Sequence, residues 1–129
     1  MVYKLISATE AKEGTNVIIE GAPCTVKRID ISKTGKHGAS KVRLEAVGII
    51  DGKKRVVVMP GDERLEVPLI VKKRAQILAL AEQKANIMDL ESFETFDAAI
   101  DPEIGQELKE GDSVEYWDVE GTKIIKRKA

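Results

Sequence analysis

The stretch KVRLEAVGIIDGKKRVVVM, residues 41–59, carries the clearest structural signal in the chain. Two runs rich in β-branched residues flank Asp51-Gly52, a dipeptide that favours a tight hairpin turn because glycine readily adopts a positive φ. The pattern predicts antiparallel strands at residues 41–50 and 53–59. Short runs of the same kind, separated by turn signals, recur along most of the chain, so we expect an all-β fold made of two tandem small barrels.

The first predicted domain, residues 1–69, has enough strands for a small SH3-like barrel. Further strands are predicted at residues 15–21 and 22–32, joined through Gly21, Ala22 and Pro23, and at residues 64–70 after a turn at MPGDE. Together with the central hairpin they make about five strands, in the range of a small barrel. Pro68 and a change in charge mark the end of this domain.

The second predicted domain, residues 70–129, fits a five-stranded OB-fold barrel. Strands are expected at residues 72–82, 84–91 and 93–100, with helix as the main alternative for the first of these. Asp101 and Pro102 offer an N-cap and a first-turn proline for a short helix over residues 103–109. A final hairpin around Glu120-Gly121 completes the order of three strands, a helix and two strands.

The charge of the chain is distributed unevenly. Residues 1–69 carry 12 basic and 9 acidic residues, a net charge of +3, whereas residues 70–129 carry 9 and 13, a net charge of −4. Between positions 27 and 43 six basic residues face only Asp30. Such a cluster favours the binding of a polyanion, because bound counterions are released. The alternative interpretation is a hairpin whose lysines are simply solvated. Two small β-barrels with one basic loop point towards RNA.

The motifs argue against several classes of function. One cysteine and one histidine cannot supply the usual zinc ligands, so no metal site is expected. A phosphate-binding Walker A motif is excluded, because Asp30 and His37 occupy the positions that require a glycine and a serine or threonine. No paired catalytic groups are evident, so we expect no enzyme and no catalytic residue. A hydrolase that uses His37 or Cys24 is the weakest alternative.

The composition also bears on location. A lone thiol fits a reducing compartment. The opening residues contain no apolar h-region, and no run approaches the roughly 18 apolar residues that a membrane span needs. We therefore expect a cytoplasmic protein with no membrane partner.

The basic loop SKTGKHG, residues 32–38, has a glycine on each side of Lys36-His37. Glycine allows positive φ, so the backbone can reverse tightly and place Lys36 at an exposed tip. A lysine at such a tip is accessible to a modifying enzyme and to a narrow cavity in a partner. The alternative is a loop that merely closes a hairpin.

This loop, followed by Ala39-Ser40-Lys41, resembles the modification loop of the translation initiation factor 5A family. The resemblance covers the whole chain, including an EVP junction at residues 66–68, and implies an SH3-like barrel followed by an OB fold. In that family deoxyhypusine synthase transfers an aminobutyl group from spermidine to the lysine between the glycines, and hydroxylation then gives hypusine. The matching lysine is Lys36. The other matching loop residues are Ser32, Lys33, Thr34, Gly35, His37 and Gly38.

The resemblance further implies a factor that binds the ribosome near the exit-tRNA site and promotes peptide-bond formation on stalled ribosomes. Its implied partners are rRNA, peptidyl-tRNA and deoxyhypusine synthase, and no cofactor is implied beyond the spermidine-derived modification of Lys36. The expected RNA contacts are Lys33, His37, Lys41 and Arg43. Ala39-Ser40 is archaeal in type, whereas the eukaryotic pattern has His-Ala, so deoxyhypusine and hypusine both remain open.

The alternative function is a general single-stranded RNA-binding protein that uses its OB fold as a stacking platform. Tyr116 and Trp117, adjacent on one predicted strand, are the aromatic residues available for this role. Trp117 has a second interpretation as a packing residue.

Overall fold

The computed structural model describes residues 2–34, 39–104 and 107–129. The chain divides into two compact units, Met1–Leu69 and Ile70–Ala129, each with its own hydrophobic core. Strands dominate both units, and the helical part of the described residues is a single 3-10 turn at Ala8–Glu10. The predicted all-β class is therefore confirmed. No helix in the described residues is both long and apolar enough to cross a membrane.

The first unit is an SH3-like barrel built from two sheets. Its described strands are β1 (Val2–Ser7), β2 (Asn16–Ile19), β3 (Ala22–Thr34), β4 (Ala39–Gly48), β5 (Lys54–Pro60) and β6 (Arg64–Pro68). Four of them form an antiparallel sheet in the order β2-β3-β4-β5, and β1 pairs with β6. Ile6 and Leu65 from the small sheet pack with Val26 and Leu44 from the large one, so a single core lies between the sheets.

No strand is predicted for residues 2–7, which nevertheless form β1. The pairing partner of this segment lies far along the chain, where Ile6 stands opposite Leu65. Because β1 depends on this non-local partner and not on a local turn signal, its sequence pattern alone is a weak indication.

The central hairpin is present, but its turn differs from the prediction. Residues 49–53 connect β4 to β5, a longer connection than the two-residue turn predicted at Asp51-Gly52. Just after β4, Ile49 is buried and its N–H donates to the carbonyl of Pro23 at 2.8 Å. Asp51 then forms a paired contact with Arg55, with N–O distances of 3.1 and 2.7 Å.

Two hairpins close through the same kind of turn. Glu20-Gly21 joins β2 to β3 with φ values of 53° and 79°, and Glu120-Gly121 has φ values of 52° and 93°. Two successive positive φ values define the type I′ geometry that suits the twist of paired strands. The first turn therefore lies closer to the N-terminus than the predicted connection at Gly21, Ala22 and Pro23, because Ala22 and Pro23 already pair with β2.

The second unit is a closed five-stranded barrel with the OB fold. Its strands are β7 (Ile70–Leu80), β8 (Lys84–Asp89), β9 (Thr95–Ile100), β10 (Ser113–Val119) and β11 (Thr122–Lys128). They close in the order β7-β8-β9-β11-β10. All neighbours are antiparallel except β9 and β11, which are parallel. The predicted strand near residues 72–82 is confirmed against its helical alternative, and the final hairpin is confirmed as well.

The helix predicted over residues 103–109 is wrong in the part that the structure describes, since residues 103–104 and 107–109 are not helical. Asp101 does cap one turn: its Oδ1 accepts the N–H of Glu103 at 2.9 Å, and its carbonyl accepts that of Ile104 at 3.1 Å. Ile104 and Leu108 then pack against the core of the barrel. This tertiary packing outweighs the local capping signal.

Candidate functional site

The candidate site is the end of the hairpin formed by β3 and β4. β3 is 13 residues long and β4 is 10, and their ladder extends to a last pair between Thr34 and Ala39. Residues 35–38 join the two strands. These four residues, which include the predicted modified Lys36, His37 and both loop glycines, lie outside the described residues.

The support for this hairpin from neighbouring strands ends just before the loop. β5 pairs with β4 as far as the pair of Pro60 with Lys41. One further bond follows, from the N–H of Gly61 to the carbonyl of Ser40 at 2.9 Å. Beyond Ser40, the described part of β4 has only β3 as a neighbour. The hairpin end therefore extends past the sheet that carries it.

The three predicted RNA contacts that the structure describes, Lys33, Lys41 and Arg43, lie on two different faces of the hairpin. Lys41 stands opposite Ser32, and Arg43 stands opposite Asp30. Successive residues of a strand point to opposite faces, so Lys41 and Arg43 share one face, whereas Lys33 shares the other with Ile31. The structure thus brings Lys41 and Arg43 together and separates Lys33 from them.

Arg43 belongs to a cluster of paired charges on its face of the sheet. Its Nη1 lies 3.1 Å from Glu45 and 3.7 Å from Asp30. Arg28 approaches Asp30 at 3.1 Å, and Lys54 approaches Glu45 at 3.1 Å. Hydrogen bonds from Lys54 and Arg43 lower the pKa of Glu45. Two carboxylates therefore neutralise part of the positive charge that the sequence places on this hairpin.

Lys33 and Lys41 differ from Arg43, because neither makes an ion pair within the part of the chain that the structure describes. Both lysines are exposed. A phosphate group can approach them without first displacing a carboxylate, whereas at Arg43 it has to compete with Glu45. Sequence reasoning missed the role of Glu45, although its position two residues after Arg43 places both side chains on one strand face.

The aromatic residues that the alternative RNA-binding function requires are buried. Tyr116 is 3% exposed and its hydroxyl donates to Asp89, while Trp117 is 6% exposed and its Nε1 donates to Glu115 at 3.0 Å. A stacking platform needs an open aromatic face. The packing interpretation of Trp117 therefore fits the structure better than the stacking one.

Cys24 lacks the surroundings of a catalytic nucleophile. Its side chain is fully buried, and burial raises the pKa of the thiol. Nη1 of Arg55 lies 3.9 Å from the sulfur, close enough only for a weak hydrogen bond. Among the described residues no group of three or more His, Cys, Asp and Glu side chains is arranged to hold a metal ion.

Comparison with known proteins gives matches over nearly the whole chain. Residues 4–63 match the family described as "Translation initiation factor 5A-like, N-terminal". Translation initiation factor 5A of Pyrococcus horikoshii is 44% identical over 126 residues, covering 95% of this chain and 91% of that protein. The protein of the same name from Thermoplasma acidophilum is 40% identical over 125 residues, covering 97% of each chain.

A solved structure agrees with these sequence matches. The structure titled "Eukaryotic translation initiation factor 5A from Methanococcus jannaschii" superposes with a TM-score of 0.88 at 36% identity, covering 98% of this chain and 94% of that one. Identity of this level over both units extends the match beyond the N-terminal family region. The chain therefore belongs to the translation initiation factor 5A family and is a translation factor.

Proposed function

We propose that this translation factor acts on stalled ribosomes through a modified Lys36. It binds near the exit-tRNA site, and the extended side chain of Lys36 reaches the peptidyl-transferase centre and promotes peptide-bond formation. The observation that carries the proposal is the register of β3 and β4, which closes Thr34 on Ala39. Lys36 consequently falls within the four residues that join the two strands, in a part of the sequence that matches the family motif.

The modification proposed for Lys36 is aminobutyl transfer from spermidine by deoxyhypusine synthase. A C–N bond of spermidine breaks, a C–N bond forms at Nζ of Lys36, and atom balance requires that 1,3-diaminopropane leaves with the displaced proton. The product has a longer side chain with a second basic nitrogen, so it can contact RNA at a greater distance by charge and hydrogen bonds. Hypusine would require a separate hydroxylation of deoxyhypusine with an external oxidant.

The RNA contacts in this proposal rest mainly on two lysines that make no ion pair with any residue that the structure describes. Lys33 and Lys41 meet phosphates on the two faces of the hairpin, and His37 contributes from the loop itself. Arg43 adds less, because Glu45 and Asp30 already engage its guanidinium. The bond-forming chemistry belongs to the ribosome, and the factor works in the cytoplasm with rRNA and peptidyl-tRNA as its partners.

Translation of a message that encodes a proline run tests the proposal. Protein modified by deoxyhypusine synthase should relieve stalling on such a message, whereas unmodified protein and Lys36→Arg should not. Lys36→Arg keeps the positive charge but cannot carry the aminobutyl extension. Its free energy of unfolding should stay within about 0.5 kcal/mol of wild type, as for an ordinary surface substitution.

Intact mass spectrometry of protein from its native host provides a second test. We expect a mass increase that maps to Lys36 and that distinguishes deoxyhypusine from hypusine. An unmodified Lys36 in all of the native protein contradicts the proposal, and so does full activity of Lys36→Arg.

A further inference from the structure

Gly61, in the turn between β5 and β6, makes the last backbone hydrogen bond that the described part of β4 receives on its β5 side. Its N–H donates to the carbonyl of Ser40 at 2.9 Å, and its carbonyl accepts the N–H of Thr9 at 3.3 Å. Gly61 is buried. Ser40 is thus held by Gly61 on one side and by Lys33 of β3 on the other.

Space, and not backbone conformation, requires a glycine at position 61. The φ of Gly61 lies outside the left-handed region. A Cβ at this position would lie 1.9 Å from Oγ of Ser40, 3.0 Å from Cγ2 of Thr9 and 3.2 Å from Cβ of Ser40. Rotation of the serine hydroxyl can relieve the first contact. Rotation of the Thr9 side chain can relieve the second. The contact with Cβ of Ser40 remains, so a side chain at position 61 requires β4 to shift at Ser40 by a few tenths of an ångström.

A shift of Ser40 passes directly to the loop. Ser40 is followed by Ala39 in the direction of the loop, and Ala39 pairs with Thr34. This pair has no third strand beside it in the described residues, so β3 is the strand that restrains a displacement that begins at Ser40. Residues 35–38 are attached to the two members of this pair.

We propose that the contact between Gly61 and Ser40 positions the loop for modification, which makes Gly61 a positioning residue for aminobutyl transfer to Lys36. This inference rests on the proposed function. A modifying enzyme has to align Nζ of Lys36 with the bond that breaks in spermidine, and displacements of about 1 Å can reduce rates by orders of magnitude. A small displacement at Ser40 is therefore expected to have a measurable effect.

Gly48 supplies a matched control at the opposite end of the same strand. A Cβ at Gly48 would lie 1.9 Å from Oδ1 of Asp51 and 2.9 Å from Nη1 of Arg55. The shortest contact is the same as at Gly61, and the φ of Gly48 is likewise outside the left-handed region. Gly48→Ala thus introduces an equally short contact at the far end of β4 from the loop, against the paired side chains of Asp51 and Arg55.

The first experiment measures aminobutyl transfer from spermidine to each variant by deoxyhypusine synthase, at a temperature where all variants are folded. We expect kcat/KM for the protein substrate to fall roughly tenfold in Gly61→Ala and to stay at the wild-type value in Gly48→Ala. Adding Ser40→Gly to Gly61→Ala removes the crowded side chain and should restore most of the rate. The single variant Ser40→Gly serves as the reference for that rescue.

Equal losses in Gly61→Ala and Gly48→Ala would show a general effect of stability and overturn the inference. Failure of Ser40→Gly to restore the rate would also overturn it, because the contact would then not be the cause. A wild-type protein that the enzyme never modifies contradicts the proposed function instead.

The second experiment does not depend on the modification. Hydrogen exchange of the backbone amides at residues 32–34 and 39–41 is measured in the unmodified variants. Exchange should become faster in Gly61→Ala and remain unchanged in Gly48→Ala. In the double variant Gly61→Ala/Ser40→Gly it should slow again. Unchanged exchange in Gly61→Ala overturns the positioning role, whether or not wild-type protein is modified.

Discussion

Asp89 is a buried carboxylate that hydrogen bonds keep charged. Its side chain is 1% exposed, yet its pKa is lowered to about 2. The hydroxyl of Tyr116 is the main cause, donating to Oδ2 at 2.5 Å, and the N–H groups of Glu91 and Ser92 each donate to Oδ1 at 2.8 Å. These donors outweigh the loss of hydration, so the buried carboxylate stays charged and fixes the loop that follows β8.

This carboxylate should make stability depend on pH in acid. An unfolded Asp titrates near pH 3.9, so a folded pKa of about 2 stabilises the folded state above that pH. The stabilisation is lost as the pH falls through about 2, and it amounts to about 2 kcal/mol at neutral pH. Urea unfolding between pH 2 and pH 7, values that bracket this transition, should show this loss in wild type and a flatter profile in Asp89→Asn.

Asp97→Asn is the control for this measurement, because Asp97 is exposed and accepts one side-chain hydrogen bond, from Asn86 at 3.2 Å. Its acid profile should follow that of wild type. The same flattening in both variants, or in neither, would contradict the assignment of this pH dependence to Asp89.

The segment between β9 and β10 shows how one ion pair can organise an element. Nζ of Lys126, on β11, lies 2.6 Å from Oδ2 of Asp101, and the two side chains are only 15% and 9% exposed. Asp101 also forms the capped turn in which its Oδ1 accepts the N–H of Glu103. The segment is therefore attached to the barrel at its first residue, which helps to place Ile104 and Leu108 on the core although the described residues around them are not helical.

Loss of the cation should destabilise this element. Lys126→Met keeps the apolar stem but leaves the Asp101 carboxylate without its partner, and we expect a fall of about 2–3 kcal/mol in the free energy of unfolding. The double variant Asp101→Asn/Lys126→Met should lose less, since no unpaired charge remains. Chemical denaturation of the two single variants and the double variant measures this coupling.

Lys123→Met is the matched control, because Lys123 approaches Asp118 at 3.8 Å in a more exposed pair. Its cost should be at most about 1 kcal/mol. Additive effects of Asp101→Asn and Lys126→Met would mean that the two side chains are not coupled.

At the scale of the whole molecule, the two units differ in charge. Residues 1–69 carry a net charge of +3 and residues 70–129 a net charge of −4. Lys33 and Lys41, which make no ion pair within the described part of the chain, belong to the first unit. A polyanion should therefore bind the first unit, although the chain as a whole has a net charge of −1.

Paired substitutions in the full chain test this asymmetry. Lys33→Gln/Lys41→Gln should weaken binding to a single-stranded RNA oligonucleotide and reduce the slope of log affinity against log salt by about 1–2, as expected for two phosphate contacts. Lys84→Gln/Lys109→Gln removes the same charge from the second unit and should change neither quantity. Fluorescence anisotropy across a salt series measures both, and equal effects of the two pairs would refute a binding surface on the first unit.

The predictions that the structure confirms rest on local conformational preferences of the residues. The hairpin at Glu120-Gly121 is confirmed because glycine supplies the positive φ that a tight turn needs. The predictions that were wrong lie where packing against distant parts of the chain outweighs a local preference. Residues 103–109 carry a local helix signal, but Ile104 and Leu108 gain more by packing on the barrel than by continuing a helical turn.

The sequence by itself determined the all-β class, the SH3-like and OB folds, and the family, because strand alternation, turn preferences and a specific loop motif are all local in the chain. Tertiary structure decided which charges remain available, by placing Glu45 beside Arg43 and leaving Lys41 without an ion pair. It also decided that Tyr116 and Trp117 are buried and that position 61 has no room for a side chain. These outcomes depend on strand register and on neighbours far apart in the chain, which no local pattern encodes.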